Sequence, residues 1–104
     1  MKEELYFEVK SCLDKRIRVT KPYWNKIIKI KHNVIEGKEA IAKETIKKPD
    51  EIRRSSKDKE VFLHYKKINK NYLCVVTKHL DGEGFIITAY ITDRIKIGEK
   101  YETN

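Results

Sequence analysis

The sequence predicts an α+β domain in which helices cover one face of an antiparallel sheet. Three observations carry this expectation. The last third of the chain alternates with period two on either side of an Asp-Gly-Glu-Gly turn, as a long hairpin does. The middle places apolar residues at helical spacing from Trp24 to Ile35, then runs KEAIAKETIK, rich in strong helix formers. The first ten residues alternate again, with Leu5, Phe7 and Val9 set against Tyr6, Glu8 and Lys10.

Taken in order, the elements follow from local chemistry. Residues 5–10 form a first strand and residues 16–20 (RIRVT) a second, short one. Thr20 stands at an N-cap, and Pro22 sits in the first turn, where its missing N–H costs nothing. Trp24, Ile27, Ile28 and Ile35 make the buried stripe of a helix with His32 near its end, and Gly37 breaks it. A second helix spans 38–47 and stops before Pro49, which disfavours helix at the preceding residue. The rest is almost all strand, over 51–55, 61–68, 72–80 and 85–92, with turns at 69–71 and 81–84. No repeat or linker divides the 104 residues, so a single domain over 1–104 is expected.

The final hairpin carries most of the functional information. Phe85, Ile87, Ala89 and Ile91 are apolar and belong to a core, whereas Thr88, Tyr90 and Thr92 can all hydrogen-bond. Two registers are open. A three-residue loop pairs Lys78 with Thr88 and Val76 with Tyr90, so the lysine joins the hydroxyl face. A four-residue loop pairs Leu80 with Phe85 and Thr77 with Thr88, and His79 takes the place of Lys78, because a one-residue slip flips every side chain. The first is preferred, since it keeps Leu73, Val75 and Thr77 on the apolar side.

Composition narrows the partners. Lys and Arg number 24 against 16 Asp and Glu, a net charge of +8, which favours a polyanion such as nucleic acid. The competing explanation is a Lys-rich solvated shell, because the basic residues spread along the whole chain. Cys12 and Cys74 are too few for a disulfide framework and suggest a reducing, cytoplasmic setting. No apolar run is long enough to span a membrane. His32, His64 and His79 stand far apart, with no HExxH or CxxC spacing, so neither a metal nor another cofactor is expected. Gly82 and Gly84 read as turn glycines, and no glycine loop precedes Ser55 and Ser56, which argues against a phosphate loop.

What remains is basic and hydroxyl-bearing: His32, Arg53, Arg54, Ser55, Tyr65, Lys78, Thr88, Tyr90 and Thr92. Metal-free RNA cleavage asks for little more. One group takes the 2′-hydroxyl proton, another protonates the leaving oxygen, and a cation stabilises the charged phosphate. Aromatic rings hold the unstacked base. Each residue also has a structural alternative: His32 can favour a helix dipole, Arg53 and Arg54 can guard an edge strand, and the threonines can be ordinary β-formers.

The segments WNKII…KHNVIEG (24–37), KETIKKPDEIRRS (43–55), YLCVVTK (72–78) and GEGFIITAYITDRIKIGE (82–99) resemble the phage members of the barnase–EndoU–colicin–RelE-like (BECR) nuclease grouping. The likeness covers about residues 16–101, and PDEIRRS and FIITAYITDR are its most specific parts. It implies two N-terminal helices packed on one face of a twisted antiparallel sheet of four or more strands, with the site on the open face. It also implies metal-independent endoribonuclease activity on single-stranded or tRNA-like RNA, in toxin or phage–host conflict settings, with an antitoxin as a possible protein inhibitor. Carried over by position, His32 becomes the general acid or base and Arg54 the phosphate clamp. Lys78 would stabilise charge, and Tyr90 and Thr92 would position the substrate. Arg53, Ser55, Tyr65 and Thr88 complete the expected substrate contacts. Two positions depart from the pattern: Asn33 stands where relatives often have proline, and His64 where they often have an aromatic residue. The rival expectation is a non-catalytic RNA- or protein-binding module on the same fold.

Overall fold

The computed structural model describes residues 5–30, 34–95 and 99–100. Its elements run β1 (Leu5–Lys10), β2 (Arg16–Thr20), α1 (Lys21–Ile30), α2 (Glu39–Lys47), β3 (Glu51–Arg54), β4 (Val61–Ile68), β5 (Asn71–His79), β6 (Glu83–Thr92) and β7 (Glu99–Lys100). They build one sheet in the order β1-β2-β6-β5-β4-β3-β7. No helix among the described residues is long and apolar enough to cross a membrane.

The α+β class is correct, but two details of the expectation are not. The helices follow two strands instead of opening the fold, and the sheet is mixed. Neighbours pair antiparallel except β2 and β6, which run parallel through Arg16–Glu83, Ile17–Gly84 and Arg18–Phe85. A parallel pair needs a long crossover. Here α1, α2 and the β3–β5 meander supply it, so the N-terminal hairpin extends the sheet beyond β6. The two-residue β7 beside β3 was also not expected, because so short a strand shows no alternation.

Thr20 caps α1 as expected, its Oγ1 accepting the Tyr23 N–H at 3.4 Å. The helix is shorter than its apolar stripe suggested. Its described part ends at Ile30, and Ile35 lies instead in a turn over residues 34–37, where Gly37 takes a φ of 77°. Ile35 is nonetheless fully buried. An apolar residue at helical spacing had signalled the core, but not the helix that would deliver it.

The pleat sorts the sheet into two sides. Phe7, Val9, Ile17, Val19, Leu73, Val75, Ile86 and Ala89 share one side and pack with Trp24 and Ile27 of α1, Ile35, and Ala42 and Ile46 of α2. Trp24 meets Phe7 edge-on at 5.5 Å between ring centroids. Each such side chain removed from water contributes roughly 1.5–3 kcal/mol. This cluster therefore holds the helices on the sheet.

Neither expected hairpin register is adopted. Near the turn His79 faces Gly84, Lys78 faces Phe85 and Thr77 faces Ile86; further along, Val76 faces Thr88 and Cys74 faces Tyr90. The register shifts between Val76 and Thr77, which leaves Ile87 as an extra residue, a β-bulge. The bulge sends Ile86 into the core and turns Phe85 outward, reversing the alternation read from sequence. Lys78 still joins Thr88 and Tyr90 on one side, the outcome expected of a different pairing. The Tyr23 hydroxyl donates to the Ile87 carbonyl at 2.7 Å, giving the bulged backbone a partner in α1.

Gly84 makes this geometry possible, because a Cβ there would overlap the Lys78 carbonyl oxygen and come within 2.9 Å of Ile17 Cδ1. Gly84→Ala is expected to cost about 1–3 kcal/mol, the range for an overpacked site, measured by urea denaturation. An unchanged midpoint would show that β2 and β6 separate freely.

Candidate functional site

The side of the sheet opposite the helices gathers most of the expected site residues. Tyr65, Cys74 and Tyr90 face one another across β4, β5 and β6. Beside them lie Leu63, Val76 and Thr88, with Arg53 opposite Leu63; Tyr72 faces Thr92 and Lys78 faces Phe85. Arg53, Tyr65, Lys78, Thr88, Tyr90 and Thr92 therefore share one side.

They differ in what they can touch. Tyr65 has 0% exposure and cannot contact a substrate, which corrects that expectation; it underlies the surface as part of its floor. Tyr90 is half-buried. Burial, reinforced by the Cys74 and Tyr65 side chains, pushes its ionisation well above the ordinary tyrosine value, so its hydroxyl stays neutral. Thr92 is engaged locally, donating from Oγ1 to the Arg94 carbonyl at 3.1 Å. Ser55 stabilises the turn after β3, its Oγ accepting the Lys57 N–H at 3.1 Å.

The cations on this side are held by carboxylates. Lys78 Nζ lies 3.2 Å from Asp58 Oδ2 and 3.9 Å from Glu60 Oε1; Arg53 pairs with Glu51, and Arg18 with Glu83. The Glu60 N–H, then the Lys78 ammonium, hold the Asp58 carboxyl below its usual range. Partly exposed pairs of this kind are worth about 0–1 kcal/mol each. They position the cations without fixing them rigidly. Lys67 completes the row, its Nζ 5.5 Å from the centroid of the Tyr72 ring.

Arg54 does not join them. It pairs with Phe62, in register with Thr77, on the helix side, and its guanidinium lies 5.6 Å from the centre of the Phe62 ring. The sheet thus separates Arg54 from Lys78, Tyr90 and Thr92. The adjacent Arg53 occupies the side where a clamp was expected. His32 and Asn33 lie outside the described residues.

Phe62 leads to a second cluster on the helix side. Its ring lies 4.7 Å from that of His79, and the Thr77 hydroxyl bridges His79 Nε2 and His64 Nε2 at 2.9 Å each. A hydroxyl has one proton to give, so Thr77 can donate to only one of the two rings. His64 Nδ1 is buried without a hydrogen-bond partner among the described residues. A bare nitrogen tolerates that better than an orphaned N–H. We therefore place the His64 proton on Nε2, donating to Thr77 Oγ1. Burial, with the neighbouring His79, pushes His64 down to about 3; burial, with Lys15, pushes His79 down to about 4. Both rings are neutral at physiological pH and turned away from the Lys78 side. The departure at position 64 thus serves the interior.

Among the described residues, no three His, Cys, Asp or Glu side chains lie close enough together to hold a metal ion. Comparison with family models, with curated proteins and with solved structures found no match. Sequence reasoning missed Arg18, Tyr72 and Phe85. Tyr72 was legible, since it starts the strand that carries Lys78. Phe85 was not, because strict alternation assigned it to the core.

The histidine pair sets a pH dependence of stability. Each ring binds its proton less readily folded than unfolded, so its contribution is complete above the ordinary value of 6.5 and is lost as pH falls toward 4. Between pH 7 and 5 the fully buried His64 is expected to cost the fold about 2 kcal/mol, and the less enclosed His79 less than that. Urea denaturation at the two pH values measures this, and His64→Gln should shrink the difference. Equal stability at pH 5 and 7 would mean that the rings are not sequestered.

Proposed function

We propose that this chain binds single-stranded RNA on the Lys78–Thr88–Thr92 side of its sheet, as a binding module of BECR-like fold. One observation carries the reading: cations, hydroxyls and aromatic rings alternate along that side. Arg18, Phe85 and Lys78 stand in one row at one end, Thr88 and Arg53 in the next, and Thr92, Tyr72 and Lys67 at the other end. Such a strip meets a flexible polyanion with charge for its phosphates, hydrogen-bonding groups for its sugars and rings for its bases. The net charge of +8 supports the same class of partner.

Binding is favoured over cleavage because the described residues put no imidazole on this side and place Arg54 on the other. The segments resembling BECR nucleases favour a second reading, metal-independent cleavage with His32 as the proton carrier. In a toxin setting an antitoxin protein would then mask this same surface.

Fluorescence anisotropy with a labelled single-stranded RNA tests the proposal. Affinity is expected to fall steeply with salt, and Lys78→Ala to lower the salt slope by about one while weakening all sequences alike. The same RNA incubated in EDTA should remain intact. RNA cut by the wild type but not by His32→Ala would replace binding with the nuclease reading. Salt-independent or absent binding with the RNA left intact would remove both.

A further inference from the structure

We propose that the fork between β2 and β6 is a pocket for one unstacked RNA base, at the end of the strip already described. This deepens the RNA-binding reading and rests on it. The parallel pairing of β2 with β6 lasts only from Arg16–Glu83 to Arg18–Phe85. Beyond it the strands diverge, because β2 passes into α1 at Thr20 while β6 bulges at Ile87. The gap is a cavity of about 330 Å³ lined by Arg18, Val19, Thr20, Tyr23, Phe85 and Ile86.

The chemistry of the lining selects a base. Val19 and Ile86 are buried core residues and give the cavity an apolar floor. Tyr23 is fixed in the wall by the bond from its hydroxyl to the Ile87 carbonyl. Phe85 keeps 40% of its surface exposed, a large apolar ring at the rim without a cover. Because Phe85 faces Lys78 across the hairpin, the pocket opens onto the cationic strip. Arg18 is ion-paired to Glu83, so the mouth offers donors and an acceptor with no net charge. That combination suits the polar edge of a base better than a phosphate. The volume lies near the lower end of small-ligand pockets, about 300–1,000 Å³, and matches a single base better than a large cofactor.

The test uses the full chain with three probes: a single-stranded RNA hexamer, the same hexamer with abasic riboses, and the four ribonucleoside 5′-monophosphates. Phe85→Leu and Phe85→Ala should each weaken the intact hexamer about tenfold, the scale of one lost base stack, while Phe85→Tyr retains binding. The difference between abasic and intact strands should be larger in the wild type than in Phe85→Leu. The monophosphates should move the amide resonances of Thr20, Tyr23 and Phe85. If Phe85→Leu binds the hexamer like the wild type while Lys78→Ala still weakens it, the pocket is overturned and the RNA-binding side stands. If the hexamer does not bind at all, the RNA reading fails, and the monophosphates decide the pocket alone. Shifts confined to the fork would then support it as a nucleotide site, and shifts elsewhere or none would overturn it.

Discussion

The pairing of β6 with β5 shifts by one residue at Ile87, and the composition of both sides of the sheet follows from that shift. Before the bulge, Ile86 completes the core under β2 while Phe85 faces out opposite Lys78. After it, Ala89 and Ile91 return to the core side and Thr88, Tyr90 and Thr92 stand outward. A regular hairpin would place either Phe85 or the threonine row on the wrong side. Three contacts secure the irregular one: the Tyr23 hydroxyl on the Ile87 carbonyl, the closeness of Ile17 and Lys78 that Gly84 allows, and the β2–β6 pairing. The N-terminal hairpin is therefore coupled to the surface that β5 and β6 present.

The same strands carry different chemistry on their two sides. On the helix side, an apolar core grades into a polar chain of His64, Thr77 and His79, with Phe62 and Arg54 at its edge. Buried imidazoles kept neutral are costly to protonate, so this chain favours structure at neutral pH over proton transfer. On the other side, buried Tyr65 and Cys74, with half-buried Tyr90, form a floor beside cations held in shallow ion pairs.

Much of the fold was legible in particular residues. Thr20 and Pro22 announced the start of α1, Pro49 the end of α2, and the alternation of residues 5–10 and 16–20 the first hairpin. Such signals are local, and local sequence suffices for them. Three features were not local. Parallel pairing of β2 with β6 depends on where the crossover returns. The bulge depends on Tyr23, distant in sequence, taking the Ile87 carbonyl. The facing of Arg54 depends on its register with Phe62, which PDEIRRS alone does not encode. Of the candidate residues, Lys78, Thr88, Tyr90, Thr92 and Arg53 lie on one side, Lys78 through a bulged register that neither expected pairing contains. Arg54 was separated from them, Tyr65 proved buried, and His32 lies outside the described residues.

The division between the two sides of the sheet is tested most directly by mapping bound RNA onto the protein through amide chemical-shift changes at rising RNA concentration. The account predicts shifts centred on Lys78, Phe85, Thr88, Tyr72 and Thr92, with Arg54, Phe62, Thr77 and His79 unmoved. A footprint centred on Arg54 and His79 would contradict it and transfer the site to the helix side.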